Sequence, residues 1–424
     1  MTMRLAGRIL VAYLLLTVLF TGAVVATFAI PRDAIEGHLR QSVSEVVEDG
    51  QMFTCQAGFF KPYIIGVFTE CLMLDIAYCA DTSSPLQSAM ESRFVIADSS
   101  PVAGIKVLLS EPDSPRLQSF VYSRYWHGSQ CLLRPLLCVT TMRGIRTLNV
   151  VLLLLLLVVA TVVMVKRLGT GDALVIALPL LAVMTPTVPL CLNYVPTFAI
   201  ALGASLLILL WNRATGNRGN AVLLFFVVGA VTAFMDLLTT PMVALAVPLT
   251  VYMLYRRPHD TWRCLITLAV AWAAGYALLW GTKWLLAGLV LDFDVFGDAM
   301  GAVTQRTVGK GEHDFMMWCL KWNGALLVAA VALTVAVALL YGRSRDEMRR
   351  HSWMLAIAAM GFVWTFVLLE HTWHHLHFTW RTFVVSAIGI ALYLRYTTDL
   401  KHPLALFRER HENRHIDDHK LIEQ

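Results

Sequence analysis

Charge is what this chain has least of. Only 15% of its 424 residues are Asp, Glu, Lys or Arg, whereas 57% are hydrophobic and the mean hydropathy is +0.63. A soluble domain carries roughly a quarter charged residues, so the soluble globular class is excluded. Internal repeats and low-complexity tracts are also missing, apart from a leucine run at 152–157 that is ordinary for a membrane span. No His-Glu-x-x-His occurs, because Glu370 precedes His371 and only Thr372 and Trp373 separate it from His374 and His375. Gly-x-Ser-x-Gly is absent as well. These two gaps argue against a zincin-type hydrolase and a nucleophile-elbow acyltransferase. The net charge of +5 does not point to nucleic acid. Its excess Lys and Arg sit in short links beside apolar segments, where membrane topology requires them.

What is present is a series of apolar segments near the length of about 20 residues that a bilayer demands. They read as ten spans near 8–30, 146–165, 172–190, 195–211, 220–237, 241–255, 263–282, 322–341, 352–369 and 382–395. The expected fold is therefore an all-α polytopic membrane protein. Arg4 and Arg8 precede the first span, and Lys166 and Arg167 follow the second. Arg213 and Arg218, then Arg256, Arg257 and Arg263, then Arg343, Arg345, Arg349 and Arg350 lie in later links, and Arg395, Lys401, Arg408, Arg410 and Arg414 follow the last span. With ten spans all of these fall on one side, the cytoplasm, together with both termini.

The chain then divides into a cytoplasmic start and first span (1–31), an extracytoplasmic loop (32–145), a bundle (146–395) with an outer loop at 283–321, and a cytoplasmic tail (396–424). In the long loop Ile35, Leu39, Val43, Val46 and Val47 recur near helical spacing, which predicts an amphipathic helix lying at the membrane surface. Of eight cysteines, Cys55, Cys71, Cys79, Cys131 and Cys138 fall in this loop. An exported loop permits disulfides, so one or two bridges are expected there, with open connectivity.

Four sets of residues could carry chemistry. Glu70 and Asp75 stand in a locally apolar segment, where a raised pKa would suit proton transfer; the bland alternative is a helix with acids facing water. Tyr122 to Gly128 packs Arg124 and His127 among Tyr125 and Trp126, either a phosphate and sugar contact or an interfacial aromatic belt. Asp236 is the sole carboxylate between Asp172 and Asp260; such a residue faces a polar cavity or reaches the headgroups. Finally, Glu370, His371, His374, His375, His377 and Arg381 crowd one span boundary. On a helix, Glu370, His374, His377 and Arg381 would form one stripe and His371, His375 and Phe378 the next. Such stripes suit a divalent metal (Mg, Mn or Zn, with Glu370 and His374 as ligands) or a phosphate held by Arg381. A solvated His-rich turn is the bland reading.

At these residues the chain resembles the GT-C class of multi-spanning glycosyltransferases, which share a first span, a long extracytoplasmic loop with membrane-lying helices and an acidic residue, and then a bundle. The plan covers essentially the whole chain. The chain resembles more closely a bacterial group with the patterns Tyr-x-Arg-Tyr-Trp-His-Gly, Phe-Asp-[Phe/Leu]-Leu-Thr-x-Pro and His-[Ser/Thr]-x-x-His-x-x-Phe-Thr-[Tyr/Trp]-Arg. Here these are Tyr122–Gly128; Met235–Pro241, with Met235 replacing Phe; and His371, Thr372, His375, Phe378, Thr379 and Arg381. The resemblance implies a polyprenyl-phosphate sugar donor, transfer with inversion to a glycan, lipid or protein acceptor, and a site outside the cytoplasm of a bacterial plasma membrane. It makes Glu70 the acidic residue of the first loop. The group carries Asp in an acidic run there, whereas Gly66 and Val67 stand here, so Asp75 and Asp236 are rival bases. Arg124, Tyr125, Trp126, His127, His371, His375 and Arg381 would bind donor and phosphate. A proton-coupled transporter or lipid-linked-substrate flippase, with Asp236 and the histidines as a relay, is the alternative. A membrane acyltransferase or metal-dependent hydrolase is the second.

Overall fold

The computed structural model describes residues 3–403 apart from 53, 58–59, 186, 309–312 and 402. Of the described residues, 79% are helical. Most of the expected tail (404–424) and the side chain of Cys55 lie outside the described residues.

Among the described residues, six helices are long and apolar enough to cross a membrane: Met3–Phe28, Met142–Leu168, Arg218–Met235, Thr261–Val290, Lys321–Tyr341 and Leu376–Thr397. Four of the ten expected spans are instead the shorter apolar helices Thr170–Met184, Val195–Leu210, Pro241–Arg256 and Trp353–Val367. At 15 or 16 residues they rise about 22–24 Å, short of the roughly 30 Å of a hydrocarbon core. Proline sets some of their ends. Pro196 and Pro241 occupy first turns, where a missing N–H is harmless.

The Arg218–Met235 and Thr261–Val290 helices pack through reciprocal glycines. A Cβ on Gly229 would lie 2.0 Å from the Trp272 carbonyl oxygen, and one on Gly275 would lie 2.0 Å from that of Phe226. Small residues at a crossing let backbones touch, the main source of helix affinity in lipid. Gly229→Ala will therefore destabilise the protein by about 1–3 kcal/mol through overpacking. Gly203→Ala, whose Cβ would meet open space, will not; thermal unfolding in detergent compares the two.

The long loop is a folded layer with its own core. The Arg32–Met52 helix buries Ile35, Leu39, Val43 and Val46 against Cys71, Met73, Leu74, Ile105, Leu133, Leu137, Met142 and Ile145. The amphipathic stripe is real, but protein rather than lipid covers it. Two short antiparallel ribbons complete the layer, Thr54–Ala57 with Phe60–Ile64 and Phe94–Ile96 with Gln118–Phe120. The expected disulfides are not formed by Cys71, Cys79, Cys131 or Cys138, which are free. Each is held by its helix instead: Cys71 faces the loop core, and the Cys79 thiol donates to Asp75 Oδ1 at 3.0 Å.

Candidate functional site

A cavity of about 950 Å³ opens where three separate segments meet. The first loop contributes residues 65–69 and Arg124, the helix Val295–Val308 contributes Asp298, Gln305 and Arg306, and the histidine-rich segment contributes Glu370, His371, His374, His375 and His377. These are the three stretches that the charge pattern assigns to one face. The volume is that of a small-molecule site.

Arg124 reaches the cavity because its backbone is clamped. Its carbonyl oxygen accepts from Trp280 Nε1 at 2.6 Å and Trp284 Nε1 at 3.0 Å. Its Nη1 donates to Asp298 Oδ1 at 2.9 Å and Oδ2 at 2.7 Å, with the guanidinium 4.7 Å from the Tyr122 ring centroid. The neighbours in the same motif build rather than line the site. Tyr125 stacks on Trp280 at 5.8 Å, and Trp126 Nε1 donates to the Leu279 carbonyl at 2.7 Å. His127 sits at φ 53° with Nε2 3.1 Å from the Tyr122 carbonyl. Burial, then the charge of Lys283, hold its pKa down at about 3, so it is neutral and donates there. Gly128 is required, since a Cβ would lie 2.5 Å from the Phe234 carbonyl oxygen. Tyr125, Trp126 and His127 are thus not cavity residues; the aromatics are spent on aiming Arg124.

The histidine-rich segment is broken. Leu369–His374 is one short helix, Leu376–Thr379 another, and Trp380–Thr382 a 3-10 turn. The break keeps Glu370, His371, His374, His375 and His377 at the cavity but takes Arg381 out of the expected stripe. Arg381 is fully buried, donates to Thr187 Oγ1 and the His377 carbonyl at 2.6 Å each, and covers the Tyr194 ring at 4.5 Å. Glu370 keeps 15% of its side chain exposed and lies 3.5 Å from His374 Nε2 through Oε1; its Oε2 is buried without a hydrogen-bond partner.

His371 lies 2.9 Å from the Leu238 carbonyl through Nε2. A carbonyl only accepts, so the proton is on Nε2 and the lone pair on Nδ1. Burial pushes its pKa down to about 4, and the ring of His375, with centroid 4.7 Å away, is pushed lower still by burial and its neighbouring histidines. Both are neutral at pH 7. Their folded pKa values lie below the unfolded value of about 6.5, so the unfolded chain binds more protons as pH falls. The segment is fully stabilised above about pH 6.5 and loses that stability as pH drops toward 4. Hydrogen exchange of residues 369–379, corrected for intrinsic rates, will show protection falling between pH 7 and 5; constant protection would contradict the assignment.

The three expected bases do not line this cavity. Glu70 is fully buried and ion-paired to Arg146, which also pairs with buried Asp49; Glu70 Oε1 accepts from the Leu192 amide at 3.1 Å. Asp75 is buried, and its Oδ2 accepts from the Val95 amide at 2.9 Å. Burial does raise its pKa, to about 7, but it is sealed against the first-loop ribbon. Asp236 accepts at Oδ1 from Thr197 Oγ1 at 3.2 Å and from the Thr239 amide at 3.1 Å and hydroxyl. It caps the turn in which Leu238 adopts φ 63°, and so it stands one layer behind His371.

Asp298, Gln305 and Arg306 are cavity residues that the chemistry-bearing motifs do not include. Their signal is a one-face helical stripe, Asp298, Gly301–Ala302 and Gln305, within the outer loop. For a metal, Glu370 and His374 are two donors, and the described residues contain no group of three or more His, Cys, Asp or Glu placed to hold an ion. These two donors do not by themselves make a zinc cage, which takes four ligands or three and a water. No protein-family model matches the chain, and no curated protein or solved structure is detectably similar to it.

Proposed function

We propose that this protein is a GT-C-type glycosyltransferase of a bacterial plasma membrane, moving a sugar from a polyprenyl phosphate to an extracytoplasmic acceptor with inversion. The observation that carries this reading is the composition of the cavity. Two arginines, four imidazoles and two carboxylates meet at the end of a bundle of apolar helices.

The roles differ from those the motifs alone suggest. Glu370 is the base: its carboxylate, partly exposed at the cavity wall, takes the proton of an acceptor hydroxyl. The hydroxyl oxygen then bonds to the anomeric carbon, and the carbon–oxygen bond to the lipid phosphate breaks, the phosphate leaving with the electron pair. Arg124 and Arg306 carry the positive charge that stabilises it, while His371 and His375, held neutral by burial, act through N–H donors or lone pairs. Asp298 holds Arg124 in place until the phosphate competes for it. Glu70, with Arg146 and Asp49, secures the first loop to the bundle.

The test is turnover of purified full-length protein, reconstituted in lipid nanodiscs, with a panel of polyprenyl-phosphate sugars. Lipid phosphate will be released with at least one donor in the presence of acceptor. Absence of release with every donor, together with solute or lipid flux in proteoliposomes, would replace this reading with transport.

A further inference from the structure

At the opposite ends of the same helices lies a second cavity, of about 550 Å³, lined by Arg4, Arg8, Arg218 and Arg263. The Met3–Phe28, Arg218–Met235 and Thr261–Val290 helices all begin here, and each runs toward a segment that builds the first cavity. Among the described residues, no carboxylate lines it. Arg8 donates to Asn220 Oδ1 at 2.9 Å, and Arg218 donates to Thr267 Oγ1 at 2.8 Å and to the Arg263 carbonyl at 3.0 Å. Arg263 pairs with Asp260 at 4.0 Å, with both side chains largely exposed. The preference for Arg at one end of spans explains why these residues are on this face. It does not explain why four converge on one hollow whose described lining holds no carboxylate.

A second feature adjoins it. Arg4 and Arg8 also border an apolar groove that continues along the first helix past Val11 and Leu15 to Leu223. Val11 is 56% exposed and Leu15 58% exposed. We propose that this end of the bundle binds an anionic phospholipid, its phosphate among the four arginines and one acyl chain along the groove. Phosphate is the shared chemistry of a headgroup and a free phosphate ion; the groove that shares Arg4 and Arg8 favours the lipid. This proposal is independent of the chemistry assigned to the first cavity.

The test uses full-length protein in zwitterionic detergent, with retention of added phosphatidylglycerol or phosphatidylcholine read by native mass spectrometry. Phosphatidylglycerol will be retained selectively. The double variant R4Q/R263Q will weaken it about thirtyfold, from roughly 1 kcal/mol per arginine. R345Q/R349Q, which removes two arginines outside the cavity, will not. Equal losses in both pairs, or displacement of the lipid by millimolar inorganic phosphate in the unmodified protein, would overturn the proposal. Where R4Q/R263Q cannot be recovered folded, V11A/L15A carries the test: it shortens the groove without touching charge, and unchanged retention would equally overturn it.

Discussion

Replacing Arg146 by methionine will destabilise the protein more than any single change at the cavity. Arg146 is 5% exposed and bridges two carboxylates, Asp49 at 8% and Glu70 at 0% side-chain exposure. Removing one partner of a buried pair leaves charge without compensation, at about 3–5 kcal/mol, and here two acids are stranded. Marginal domains have about 5–15 kcal/mol in total, so the first loop should lose its packing against the Met142–Leu168 helix. The expected readout is a large drop in thermal midpoint in detergent and rapid proteolysis within 32–141. Adding E70Q and D49N to R146M should recover much of the loss, because neutral side chains of similar size remove the stranded charge. An unchanged midpoint in R146M would show that the ion pairs carry no stability. The triple variant also decides the role of Glu70, since a folded protein that turns over without this carboxylate cannot use it as the base.

Glu370→Gln is the counterpart at the cavity. It keeps size and one acceptor but removes the proton-accepting oxygen. Positioned general bases contribute about 10²–10⁴-fold, and lipid-phosphate release should fall by that factor. Donor affinity should hardly change, because the arginines that meet the phosphate remain. A kcat loss without a KM rise is the signature, measured beside the thermal midpoint to establish that the variant is folded. Turnover within a few-fold of the unmodified protein would move the proton to another acceptor, His371 Nδ1 being the nearest in chemistry.

The parts of the site legible in the sequence are those where ionisable residues stand out from apolar surroundings. The histidine-rich segment and Arg124 are conspicuous for that reason, and both reach the cavity. Glu70 is conspicuous on the same ground yet is structural. Its partner Arg146 is 76 residues away, the first residue of a segment read only as a membrane span. Pairing at that distance leaves no local pattern. Asp298 and Arg306 err in the opposite direction: they sit in an ordinary polar helix, whose one-face stripe reads like any solvated helix face. The bundle shows a similar division. Hydropathy locates the apolar helices, but it reads composition rather than length. Trp353–Val367, read from sequence as 352–369, thus looks closer to a full span until its ends are seen. The turn at 375 that withdraws Arg381 is likewise invisible, because Leu376 to Thr379 continue an acceptable helical pattern.

Asp236 never lines the cavity, yet it shapes the turn whose Leu238 carbonyl fixes the proton on His371, a residue 133 positions further along the chain. The tautomer of a cavity ring is therefore heritable at two distant places. A chimera that exchanges residues 236–241 with those of a diverged sequence, while keeping 369–381, should fold and insert normally. It would nevertheless present His371 with its lone pair on the wrong nitrogen.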